Sequence, residues 1–101
     1  MPEPIKRIKQ EIKKRGYGVL GIIVLAGGMI FTEKEKTPIL PRIVVFTKTN
    51  ITDEVKKAKL ELMLTEMLRS YGEDWEDYVV EISDNTEENE EGIKMTAALN
   101  K

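Results

Sequence analysis

One stretch constrains this chain more than any other. Residues 16–32 (GYGVLGIIVLAGGMIFT) are 17 consecutive positions without a charge, in a 101-residue protein of which 34% is Asp, Glu, Lys or Arg. So apolar a segment is expected to be hidden, and two solutions exist. A membrane-spanning helix needs about 20 predominantly apolar residues, with about 17 as a lower bound, and the basic residues before the stretch would hold the N-terminus inside. The other solution is a β-hairpin. Val19, Leu20, Ile22, Ile23, Val24 and Leu25 form a largely β-branched run, Ala26-Gly27-Gly28 supplies residues suited to a tight turn, and Met29, Ile30, Phe31 and Thr32 return as a second strand. The stretch is short for a bilayer and carries five glycines, and the chain holds further strands that need partners. A hairpin in a cytoplasmic protein is the expectation, and a single-pass membrane anchor through residues 16–32 is the alternative. The long charged prelude and the lack of a small-residue cleavage site argue against a secretory signal.

The flanking sequence supplies those strands and two helices. Ile5, Ile8 and Ile12 recur at helical spacing, which predicts a helix over residues 4–15 that Gly16 and Gly18 stop. Residues 33–41 (EKEKTPILP) read as a charged, proline-bounded connection, and residues 42–48 (RIVVFTK) as a continuous apolar strand. A long helix follows over residues 53–71, with Thr52 as a good N-cap, Asp53 and Glu54 at its positive end, and Gly72 as its C-terminal glycine. Residues 75–83 (WEDYVVEIS) alternate as a strand with Tyr78, Val80 and Ile82 on one side. Residues 84–92 are an acidic loop, residues 93–99 alternate as a last strand, and the final residues are expected to fray.

This order predicts a single small α+β domain over residues 1–101. It would hold a mostly antiparallel sheet of four to five strands, with an N-terminal helix and one long helix packed on it. The strands at 19–25 and 43–46 are apolar on consecutive positions, so both of their faces need cover. The long helix has two apolar sectors. Leu60, Leu64, Met67, Leu68 and Tyr71 fall on one side, and Val55, Ala58 and Leu62 on nearly the opposite side. The second sector needs another surface, either the N-terminal helix or a second copy of the chain, so Val55, Ala58 and Leu62 are candidates for self-association. Trp75 and Tyr78 are expected to close the core where the helix hands over to the strand. Met63, Met67 and Met95 are expected to fill it.

Absent residues narrow the chemistry. Without Cys the chain has no disulfide, thiolate nucleophile or iron–sulfur site, and without His it has no imidazole base and no His-ligated metal. Neither Ser70 nor Ser83 stands in a G-x-S-x-G turn. Gly16-Tyr17-Gly18 opens a G-x-G-x-x-G pattern that Leu20 and Gly21 do not complete. No cofactor is expected, and no residue pair can be given a catalytic role. The abundance of Lys, Glu and Ile, with one Gln, resembles proteins of hyperthermophiles. The function expected is therefore non-enzymatic binding or assembly in a cytoplasmic, thermophile-like protein whose partner is itself or another protein.

Charge points to other partners. Residues 1–36 hold eight basic and four acidic side chains, residues 37–72 six and four, and residues 73–101 two and ten. Lys6, Arg7, Lys9, Lys13, Lys14 and Arg15 make the N-terminal helix a candidate for nucleic acid or another anion. The overall acidity and the few aromatics weigh against that reading. The acidic loop offers Asp84, Glu87 and Glu88 as candidate ligands for a divalent cation, although it lacks EF-hand spacing. The Lys56-Lys57-x-Lys59 element at the start of the long helix, after a helix and strands, is similar to the double-stranded RNA-binding domain. The resemblance implies phosphate contacts for Lys56, Lys57 and Lys59. It covers only these residues, Asp53 and Glu54 stand beside them, and two further strands follow the helix, so no family is assigned on it.

Overall fold

In a computed structural model, residues 1–84 are described. Helix α1 spans Glu3–Lys14, with Pro4 in its first turn and Lys13 and Lys14 at its negative end. The helix stops at Arg15, and Gly16 follows at φ +85°, a left-handed conformation that costs a glycine little. The uncharged stretch then forms two strands, β1 (Val19–Leu25) and β2 (Gly28–Phe31). Among the described residues no helix is long and apolar enough to cross a membrane.

Strands β1 and β2 do not pair with each other, which corrects the expected turn at Gly27-Gly28. The next strands, β3 (Lys36–Ile39) and β4 (Arg42–Thr47), return along them. β2 pairs antiparallel with β3, and β1 pairs antiparallel with β4. Both pairings share one register, from Ile22 opposite Val45 to Phe31 opposite Lys36. The segment is thus one long hairpin with limbs 19–31 and 36–47, interrupted where Ala26-Gly27 passes Leu40-Pro41. Its turn is Thr32–Glu35, where the Thr32 amide donates to the Glu35 carbonyl at 2.8 Å and the Thr32 hydroxyl accepts the Glu35 amide at 3.0 Å. Gly27 is required by close approach and not by turn geometry. A Cβ there would lie 2.8 Å from both the Ile39 carbonyl oxygen and Pro41 Cδ.

Helix α2 (Glu54–Arg69) crosses from β4 to β5 (Val79–Ser83), which lies parallel to β4. Its N-cap is Asp53 and not Thr52. The Asp53 carboxylate accepts the amides of Val55 at 3.0 Å and Lys56 at 3.2 Å. The class is α+β, but the strands divide into a mixed three-stranded sheet in the order β1-β4-β5 and the separate β2-β3 ribbon.

Both helices feed one core on one face of the three-stranded sheet. Ile43, Val45, Thr47, Val80 and Ile82 point into it from alternate strand positions, and Ile5, Ile8, Ile12, Leu60, Leu64 and Leu68 meet them. Trp75 and Tyr78, with ring centroids 5.2 Å apart, pack against its margin as expected, as do Met63 and Met67. Because α1 buries its stripe here, it does not cap the second sector of α2, and Val55, Ala58 and Leu62 stay exposed. The opposite face of the sheet, with Ile23, Leu25, Val44, Phe46 and Val79, has neither helix on it. The expected strand at 93–99 and residues 85–92 of the acidic loop lie outside the described residues.

Candidate functional site

The largest departure from an ordinary small domain is the far half of the hairpin. Every residue from 23 to 40 is exposed. Among the described residues, eight of the twelve exposed large apolar side chains lie there: Ile23, Val24, Leu25, Met29, Ile30, Phe31, Ile39 and Leu40. Phe31 is 69% exposed and Leu40 59%. Residues β2 and β3 contribute pack chiefly on each other. A two-stranded ribbon in water is marginal at best without a third strand or a helix against it. At roughly 100 Å² each, the eight side chains expose on the order of 800 Å² of apolar surface, spread over the two faces of the arm.

Alternation puts Met29 and Phe31 on one side of this arm with Pro38 and Lys36 opposite them, and Ile30 on the other side opposite Thr37. The Lys36 ammonium lies 5.9 Å from the Phe31 ring centroid. Both faces are therefore apolar, while the tip, Glu33-Lys34-Glu35-Lys36, is charged and balanced in sign. Where the arm leaves the sheet, Pro38, Ile39, Leu40, Arg42, Val79 and Glu81 line an open cavity of about 470 Å³. Arg42 and Glu81 form an ion pair at 3.3 Å beside it. These residues escaped sequence reasoning because the Pro38 and Pro41 punctuation reads as a loop. The usable signal was that proline is tolerated on an exposed edge strand.

On α1, Lys6, Arg7, Lys13, Lys14 and Arg15 are exposed and Lys9 is half-buried. Glu11 gathers two of the cations, with Arg15 at 2.8 Å and Arg7 at 3.3 Å. The hydrogen bond from Arg15 holds the Glu11 carboxyl below its ordinary value. Burial works against that shift, and the charges of Lys14 and Arg7 add to it. Arg15 also joins Tyr17, Lys56, Lys59, Leu60 and Met63 around a shallow cavity of about 240 Å³. The Lys56-Lys57-x-Lys59 element is thereby split, since Lys57 turns to Asp84 at 3.3 Å. Asp84 Oδ1 takes Lys57 and Oδ2 accepts the Ile51 amide, so both oxygens already serve the fold. Among the described residues no group of three or more acidic side chains is placed to hold a metal ion, and Glu87 and Glu88 lie outside them. Val55, Ala58 and Leu62 form a small exposed patch on α2, on an element other than the arm.

Comparison with protein-family models, with curated proteins and with solved structures finds no match.

Proposed function

We propose that this chain is a non-enzymatic assembly module that associates with itself, and that the working part is the apolar arm formed by β2, β3 and the adjoining end of β1. The observation that carries this reading is the unbroken exposure of residues 23–40 around eight large apolar side chains. The charged tip favours a protein partner over a bilayer, because inserting it into hydrocarbon would strip Glu33, Lys34, Glu35 and Lys36 of water. The composition suits a cytoplasmic module in a heat-adapted cell. Val55, Ala58 and Leu62, the self-association candidates on α2, are secondary in this reading because the arm presents more apolar surface.

Sedimentation equilibrium over a micromolar concentration range tests it. The native chain is expected to sediment as a dimer or larger. A variant with Ile30→Lys and Phe31→Glu, both far from the core, is expected to sediment as a monomer with unchanged circular dichroism. A native chain that remains monomeric throughout overturns the reading.

A second reading rests on the cavity where Arg15, Lys56 and Lys59 converge. Three cations around one depression can hold phosphate, which favours nucleic acid bound through α1 and the start of α2. It predicts retention on RNA or DNA columns at low salt, lost when Arg15, Lys56 and Lys59 are neutralised. Passage of the native chain through such columns at low salt excludes it.

A further inference from the structure

Among the described strands, the edges of this fold are treated unequally. β5 is the outer strand on one side, and its outward amides are closed off by α2. The Val80 amide donates to Thr65 Oγ1 at 3.0 Å, and the Ile82 amide donates to Glu61 Oε2 at 2.9 Å. On the second limb, Pro38 has no N–H to offer, and Lys36 flanks it. The first limb, residues 19–31, has neither proline nor charge, and no described strand pairs on its outer side. An edge left bare in this way is a template for another strand.

The direction of its free groups follows from bonds already described. The Val79 amide donates to the Pro41 carbonyl at 3.1 Å, so residues 41 and 43 face β5 and residues 42 and 44 face β1. Leu25 and Ile23, opposite Arg42 and Val44, face inward, which turns the amides of Ile22 and Val24 outward. On the arm, the Thr32–Glu35 pair fixes the opposite phase. Ile30 and Gly28 bond inward, and Met29 and Phe31 point outward. The phase changes at Ala26-Gly27.

We propose that two copies join by antiparallel pairing of their first limbs, about a two-fold axis between Ala26 and Gly27. In this register Ile22 faces the second copy's residue 31 and Val24 faces its residue 29, so every outward group named above meets another. Each copy's β2-β3 ribbon then extends the other's β1-β4-β5 sheet, and the marginal ribbon gains a third strand. The occupant is a second copy for two reasons. Antiparallel pairing of one strand with itself is self-complementary. The 17-residue uncharged stretch suits an equally uncharged partner.

The proposal rests on the arm being the association surface, and disulfide trapping separates the two. The native chain has no cysteine. Ile23 and the second copy's residue 30 form a non-hydrogen-bonded pair in this register, with Cα atoms about 4.5 Å apart, within disulfide reach. Mixing I23C chains with I30C chains under mild oxidation is expected to yield the mixed disulfide, and I23C alone no covalent dimer. In the native chain, the amides of Ile22, Val24, Met29 and Phe31 are expected to exchange at least about tenfold more slowly when concentrated than when dilute. A dimer that forms no mixed disulfide and leaves these amides unprotected overturns the edge pairing while leaving arm-mediated association standing. A monomer overturns both.

Discussion

The hydroxyl of Thr65 on α2 accepts the backbone amide of Val80 on β5 at 3.0 Å, where Thr65 is 8% exposed and Val80 1%. A threonine in the middle of a helix thus completes the hydrogen bonding of a strand edge. The same hydroxyl donates to the Glu61 carbonyl at 2.8 Å, which orients its lone pair toward the strand. Thr65→Val keeps the shape and leaves the Val80 amide without an acceptor. It is expected to cost about 1–3 kcal/mol, read as a lower denaturation midpoint at an unchanged slope, whereas Thr65→Ser retains most of the stability. Equal midpoints for the Val and Ser variants would remove the edge-capping role.

Two adjacent glycines should respond oppositely to a side chain. A Cβ at Gly27 meets the Ile39 carbonyl and Pro41 Cδ at 2.8 Å, while one at Gly28 meets nothing within 4 Å. Gly27→Ala is expected to pry the limbs apart at a cost of about 1–3 kcal/mol and to expose residues 26–40 to limited proteolysis. Gly28→Ala should leave the cleavage pattern unchanged.

The start of α2 offers a choice between neighbouring caps. Asp53→Ala removes the acceptor for the Val55 and Lys56 amides and is expected to lower stability by about 1 kcal/mol. Thr52→Ala should fall within about 0.5 kcal/mol of the native chain, as an exposed substitution away from such features does. Urea denaturation of the two variants decides between them.

The Glu11 pair on α1 predicts a pH dependence. Its carboxyl sits below the ordinary value of 4.5 in the folded chain, first because of Arg15. A depressed folded value means the stabilisation is fully present above the unfolded value and is lost as pH falls through the folded one. The melting-temperature gap between the native chain and Glu11→Gln should be open at neutral pH and close progressively below pH 4.5. It should also narrow with added salt, because the pair lies at the surface. A gap that persists unchanged to low pH rules out the ion pair as its source.

Much of the fold is legible in the residues. Ile5, Ile8 and Ile12 define the buried stripe of α1, and the three land in the core. Leu60, Leu64 and Leu68 mark the buried side of α2. Alternation in β5 puts Val80 and Ile82 inward. Gly16 stops its helix where composition suggests. The candidate site is less legible. Met29, Ile30 and Phe31 read as the returning strand of a hairpin with Val19–Leu25, yet they pair instead with Lys36, Thr37 and Pro38, beyond the reach of both helices.

Sequence by itself determined both helices, the strand-forming segments around β1, β2, β4 and β5, and the α+β class, because periodicity, capping and β-branching act over a few residues, whereas β3 (Lys36–Ile39) read as a proline-bounded connection. Tertiary structure decided which strands pair. The glycine pair at 27–28 suggested a local turn, but the strand opposite β1 is β4, whose Ile43 and Val45 share the face that α1 and α2 cover. The turn therefore moved to Thr32–Glu35, and Gly27 became a point of close passage beside Pro41. Register and cover depend on which distant segments meet across one core, and no local pattern encodes that meeting. For the same reason only the folded chain shows one strand edge closed by Thr65 and Glu61 and another on which no described strand pairs.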